Sequence, residues 1–331
     1  MTAIKSLLII GLCTLMLPIY TYAHSPSAFR FKGDDVKHSV PLDEVHLGIR
    51  SSFGSPRDKI KPIDEPKFRT VRRTRMWSSD ARVLVVSEGD KAKAYPIGVL
   101  NRHEVVNDSL GHRKIAVVYC PLCGSGTVFD RLVNGKLRRF GVSGYLYKSD
   151  VLLWDDVTES FWSQIKGEAV VGPDTGTKLT WLPVENTTFG DFHSRFPKGL
   201  VLTGPYGDSI YKQQAYAGWE KKNSPGLFMN SWEVSPKLHM KAVVTGVVVA
   251  GEAFAIPHES IKRFGRAASV KVARRNLSIE YHRDADLVRV FVHLTDGSRR
   301  PLTTLRAFWF AWSAFHPDTA LFDEDKASLA R

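Results

Sequence analysis

Ile115-Ala116-Val117-Val118-Tyr119-Cys120-Pro121-Leu122-Cys123-Gly124-Ser125-Gly126 is the stretch whose reading decides the fold. Its first five residues are apolar and rich in β-branched side chains, the mark of a buried strand. Pro121, Gly124 and Gly126 then break the run, and residues 127–133 resume a strand-like pattern. This places Cys120 and Cys123 in a turn between strands, whereas a thioredoxin-type pair opens a helix.

The neighbouring segments extend the β reading. Residues 83–86 and 91–95 flank Glu88-Gly89-Asp90, and residues 127–133 and 137–142 flank Asn134-Gly135, both hairpin signals. Residues 97–106 carry helical spacing at Ile97, Leu100 and Val105, with Asn107-Asp108 as the stop. A strand is expected at 179–183, a helix capped by Thr187 or Thr188 running to about Phe196, and a strand at 200–203. The aromatics Phe308, Trp309, Phe310, Trp312 and Phe315 fit a packed helix face.

A weak internal repeat organises these elements. Ala94-Tyr95-Pro96 with Leu100 matches Ala255-Ile256-Pro257 with Ile261, and Tyr119-Cys120 with Phe129 matches Tyr281-His282 with Phe291. The stretch ending in Phe196-Pro197 resembles the one ending in His316-Pro317 at a smaller offset, so the first copy carries an insert. The second copy has His282 and Ala285 in place of the two cysteines. The expected fold is therefore mainly β with a few helices (α+β), as two divergent repeats forming a pseudo-symmetric pair. The expected bounds are a signal peptide at 1–23, an extended arm at 24–82, and repeat one at 83–204 with its insert at about 130–172. A linker at 205–241, a degenerate repeat two at 242–325 and a tail at 326–331 complete them.

Lys5 precedes the apolar run 7–17, Pro18 breaks it, and Thr21-Tyr22-Ala23 supplies small residues for cleavage after Ala23. A periplasmic or secreted location follows as an expectation, and cleavage would leave Cys120 and Cys123 as the remaining cysteines. No later segment is long and apolar enough to span a bilayer. The formal charge of +12 and the cluster Arg69, Arg72, Arg73 and Arg75 would suit nucleic acid in a cytoplasmic protein. In an exported one they suit an anionic envelope surface or a solvated linker, and no nucleic acid is expected.

The ordered set Asp64-Glu65-Pro66-Lys67-Phe68, Ala94-Tyr95-Pro96, Leu100-Asn101-Arg102-His103-Glu104, Tyr119 to Gly126, Phe140 to Gly144, Ser149-Asp150 and Ser160 to Gln164 resembles the prokaryotic domain-of-unknown-function family 3179. The resemblance covers about residues 41–325. Arg102 departs from it, standing where that family is associated with tryptophan. The resemblance implies a prokaryotic exported protein and no activity, so chemistry must come from the residues.

Three chemistries suit a Cys-Pro-Leu-Cys turn. Zinc needs further ligands, which His103, His112, His282 or a second chain would supply, since no second Cys-x-x-Cys exists. Copper suits soft thiolates with an imidazole. A reversible disulfide suits the spacing itself, with an envelope thiol or metal-handling protein as partner. The expected metal set is Cys120, Cys123 and His103, with Glu104 orienting the imidazole and Asp150 and Gln164 in the pocket wall. The redox alternative uses Cys120 and Cys123 alone.

Two further alternatives remain open. One is a non-catalytic envelope binding module in which the cysteines brace a turn. The other is an envelope hydrolase using carboxylates such as Glu104, Asp108, Asp150 and Glu159. His103-Glu104-Val105-Val106-Asn107 lacks the second histidine of a zinc-protease helix, and no Gly-x-Ser-x-Gly elbow is present.

Overall fold

A computed structural model describes residues 36–49, 55–213, 215–224 and 234–329. The expected signal peptide lies outside the described residues. The described chain is mainly β, with five short α-helices. No helix among the described residues is long and apolar enough to cross a membrane.

The first unit opens with the hairpin Arg82–Glu88 and Lys91–Pro96, turned at Gly89 with φ 56°. Pro96 then caps the helix Ile97–His103, where a fixed φ near −65° suits a helix start. The helix ends earlier than its apolar spacing predicts. Glu104 takes φ 55°, and Val105–Leu110 becomes a strand that includes Asn107 and Asp108, the expected stop. Asn107 can sit inside that strand because its amide bonds the Phe140 carbonyl and the Asp64 carboxylate.

Val105–Leu110, Arg113–Cys120 and Ser125–Asp130 form an antiparallel three-stranded sheet, as the opening stretch predicts. Asn134 and Gly135 both take positive φ and turn the small hairpin Leu132–Val133 with Lys136–Leu137. The expected strand at 179–183 is reduced to one isolated bridge, Phe129 with Trp181. The helix Phe189–Arg195 starts where expected, and the Thr188 hydroxyl accepts the Asp191 N–H.

The segment expected as an insert folds into a sheet of Phe140–Tyr147, Asp150–Asp155, Phe161–Ser163 and Glu168–Val171. The arm touches both its edges: Val45–Leu47 pairs with Phe140–Tyr147, and the Ser39 N–H reaches the Val170 carbonyl. Farther along, Lys67–Thr70 extends the other sheet by pairing with Leu200–Thr203.

In the first unit Leu200–Thr203 lies parallel to Lys91–Pro96, which pairs antiparallel with Arg82–Glu88, itself flanked by Glu185–Thr188. In the second, Ala320–Leu321 lies parallel to Glu252–Pro257, which pairs antiparallel with Val243–Val249, flanked by Leu305–Phe308. A continuous apolar cluster joins the units. It holds Cys120, Cys123, Phe129, Phe140 and Trp162 from the first and Val244, Leu305, Trp309, Phe310 and Trp312 from the second. Trp309, Phe310, Trp312 and Phe315 of the aromatic run thus lie on the helix Trp309–Phe315, whereas Phe308 ends the strand Leu305–Phe308 and donates its N–H to the Cys123 carbonyl.

Candidate thiol and carboxylate site

Cys120 is the last residue of its strand and pairs in register with Ser125, so Pro121 to Gly124 form the turn. Gly124 sits at φ 61°, and a Cβ there would lie 3.0 Å from the Phe308 ring. Glycine is therefore favoured twice, by backbone conformation and by space. Gln164 holds the next residue, accepting the Ser125 hydroxyl at 2.8 Å and donating to the Ser125 carbonyl at 3.1 Å.

A second turn meets this one. Lys148 and Ser149 both take positive φ between Tyr147 and Asp150, which pair in register. The Ser149 carbonyl accepts the Cys123 thiol at 3.3 Å and lies 3.8 Å from the Cys120 sulfur. The following residue, Asp150, brings a carboxylate oxygen to the sulfurs. The three ligand atoms lie within 4.8 Å of one another, and all three residues are buried. Among the described residues, this is where at least three His, Cys, Asp or Glu side chains converge closely enough to share an ion.

The Asp150 carboxylate is asymmetrically held. Oδ2 accepts the Ile165 N–H at 3.0 Å, while Oδ1 makes no hydrogen bond of ordinary geometry. Burial pushes the Asp150 pKa up to about 7 against the pull of the Ile165 and Val151 N–H groups and the two thiols. Burial likewise pushes the Cys123 thiol up, helped by Cys120. Glu104 is pushed up to about 8, first by burial and then by the Asp150 charge.

His103 does not join the cluster. Its Nδ1 lies 2.8 Å from the Lys61 carbonyl, its Nε2 lies 3.0 Å from the Tyr211 hydroxyl, and its ring stacks on Tyr206. Both nitrogens are engaged in joining the helix end to the arm and to the segment after the first unit. His112 is exposed on a turn, and His282 sits beside Glu280 and Arg289. Asp150, expected in the wall, takes the third position. Gln164 stays in the wall and positions Ser125. Glu104 does not orient the imidazole, whose nitrogens go to Lys61 and Tyr211; it lines a cavity of about 250 Å³ with Cys120, Leu122, Tyr145 and Tyr216.

One buried cation near the cluster was not legible locally. Lys241, in the segment expected as a linker, is buried, and its ammonium makes no hydrogen bond among the described residues. It lies 3.7 Å from the Trp219 ring centroid and 4.3 Å from that of Phe310. Burial brings its pKa down to about 8, a fall that thiolate charge on Cys123 or Cys120 would oppose. The same segment covers the turn, with Trp219 Nε1 donating to the Leu122 carbonyl at 2.9 Å.

The other carboxylates of the hydrolase alternative are committed elsewhere. Asp108 binds Lys93 at 2.8 Å and Tyr95 at 2.6 Å, and Glu159 pairs with Arg57 at the surface. A separate polar cluster lies between the units, on a cleft of about 410 Å³. There His258 is 2.7 Å from Asp286 and 2.8 Å from the Thr245 hydroxyl, beside Arg306.

Residues 57–319 match the family model described as a protein of unknown function (DUF3179), and the chain belongs to that family. No curated protein and no solved structure matches it.

Proposed function

We propose that Cys120, Cys123 and Asp150 form a metal-binding centre for zinc or copper in an exported envelope protein. One observation carries the reading: two sulfurs and a carboxylate oxygen converge within 4.8 Å in the interior. A buried polar atom without a partner calls for an explanation, and Asp150 Oδ1 is one such atom. An ion shared with the sulfurs would satisfy it. Three protein ligands also match the arrangement of zinc sites that keep a position open for water or substrate.

The thiol-exchange alternative is weaker on chemical grounds. Exchange needs a partner thiol to reach the sulfur, and Cys120 and Cys123 are at most 1% exposed. Export rests on the N-terminal pattern of a charged residue, an apolar run and Thr21-Tyr22-Ala23. We further propose that the two units are a pseudo-symmetric repeat. The support is the shared strand order and pairing sense, with Gly124 and Asp286 both at positive φ in corresponding turns.

The test is metal analysis with a thiol count on full-length protein purified from its native compartment. Near-stoichiometric zinc or copper with two reactive thiols after metal removal is expected. Metal-free protein that fails to take up either ion under reducing conditions would sink the reading, and a stable disulfide would move it to the structural alternative.

A further inference from the structure

We propose that Lys241 is the positive counter-charge of this centre and that the completed set is built for a divalent ion. The inference rests on the metal reading above and names its class of ion. It begins with a charge count. Metal binding needs both sulfurs as thiolates and Asp150 as a carboxylate, three negative charges in all. A divalent ion leaves the cluster one charge negative, and Cu(I) leaves it two charges negative. Cys120, Cys123 and Asp150 are at most 1% exposed, so water cannot neutralise the residue of charge.

Lys241 supplies what is missing. It is 4% exposed, and its Nζ has no hydrogen-bonding acceptor among the described residues. Trp219, Phe310 and Phe308 surround the ammonium, with ring centroids at 3.7, 4.3 and 5.1 Å. Aromatic faces tolerate a cation but do not neutralise it. Phe310, one wall of that cage, packs in the same buried cluster as Cys120 and Cys123, and Phe308 packs against it.

The cage is also tied to the cysteine turn. The Phe308 N–H donates to the Cys123 carbonyl at 2.8 Å, and the Trp219 indole donates to the Leu122 carbonyl at 2.9 Å. The turn that presents the sulfurs thus fixes the rings that hold the ammonium. With Lys241 counted, a divalent ion brings the whole set to neutrality. The carboxylate points the same way, since an oxygen ligand beside two thiolates suits a borderline ion such as zinc better than Cu(I).

The experiment titrates reduced, metal-free full-length protein with Zn²⁺ against a chromophoric chelator, with Co²⁺ as a second probe for thiolate-to-metal absorption. Cu(I) is titrated in parallel. The variants are Lys241→Met, which keeps the apolar stem, and Lys241→Arg, which keeps the charge. We expect the parent to bind Zn²⁺ and Co²⁺, Lys241→Met to lose at least about tenfold in Zn²⁺ affinity, and Lys241→Arg to stay within a few-fold. Melting of the three metal-free proteins reports whether each variant folds. Equal Zn²⁺ binding by all three, or equal loss in folded Met and Arg variants, would overturn the role of charge. A parent that takes Cu(I) but neither Zn²⁺ nor Co²⁺ overturns the divalent assignment while leaving the metal reading standing. A parent that takes none of the three ions sinks both.

Discussion

The Cys123 thiol donates to the Ser149 carbonyl at 3.3 Å, and this contact joins two turns that lie 26 residues apart in the chain. One turn presents the sulfurs and the other presents Asp150. Each is held by backbone in the left-handed region, at Gly124 in the first and at Lys148 and Ser149 in the second. The site is thus built by two hairpins meeting, and its geometry depends on both turns keeping their shape.

The cysteines and Asp150 should be separable from stability. Cys120→Ser, Cys123→Ser and Asp150→Asn each remove a ligand while nearly conserving volume. Groups that merely orient a metal ligand are worth about 10–100-fold in affinity, so loss of a ligand should cost at least that. Chelator competition measures the effect, and thermal melting of the metal-free variants should show each one folded. Large losses of melting temperature with no metal in the parent would mark the motif as a structural staple.

His103 should behave in the opposite way. Its ring ties Lys61 to Tyr211, so His103→Gln should destabilise the protein by about 1–3 kcal/mol through two weakened buried contacts. Metal stoichiometry should stay unchanged. Denaturant melts beside metal content distinguish the outcomes, and loss of metal with unchanged stability would restore His103 to the ligand set.

Much of the fold was legible because its signals are local. The β-branched run into Cys-Pro-Leu-Cys-Gly predicts a hairpin turn, and Asn134-Gly135 predicts its small neighbour. Asp150 was readable as part of a pocket wall because Ser149-Asp150 falls in the insert. Its place beside the sulfurs was not, since only the packing of one hairpin on another brings it there. The histidine next to Glu104 drew attention by residue type, yet the helix end directs it toward Lys61 and Tyr211. Lys241 left no local trace at all, because its cage is assembled from residues near 219 and 308. Chemistry carried by a turn can be read along the chain, whereas charge balance in an interior cannot.

Gly124→Ala tests the geometry of the cysteine turn. A left-handed backbone costs a non-glycine residue about 1–2 kcal/mol, and the added methyl also meets the Phe308 ring at 3.0 Å. Because Phe308 belongs to the Lys241 cage and donates its N–H to Cys123, the strain should reach the site. The expected result is lower stability by denaturant melting together with weaker metal binding. A variant with parental affinity would separate the turn from the ligand geometry.

His258 sets an acid limit on stability. Burial first, and then Arg306, bring its pKa down to about 4, below the ordinary 6.5. Between these values the unfolded chain binds the proton and the folded one does not. The contribution is therefore fully present above about pH 6.5 and is lost as pH falls toward 4, up to roughly 3 kcal/mol. Asp286, held well below the ordinary carboxylate range, and Arg82, brought down only to about 9, keep their charges across this window. His258→Gln should flatten the slope in urea melts between pH 7 and 4.5, and an unchanged slope would assign it to other groups.

Glu104 should act in the other direction. Burial raises its pKa to about 8 from an ordinary 4.5, so the folded protein keeps a proton that the unfolded chain releases. This contribution is fully present below about pH 4.5 and is lost as pH rises toward 8. Glu104→Gln replaces the protonated acid with a neutral amide of nearly the same shape. In metal-free protein it should raise stability at pH 8 by about 1–4 kcal/mol and leave it little changed near pH 4.5. Glu104 also lines the cavity beside Cys120, so the gain should come with a change in how that cavity treats a bound ion or ligand. Melting curves at the two pH values measure the first effect, and cobalt absorption measures the second. A variant no more stable than the parent at pH 8 would mean that Glu104 is ionised in the folded protein and compensated by a positive charge.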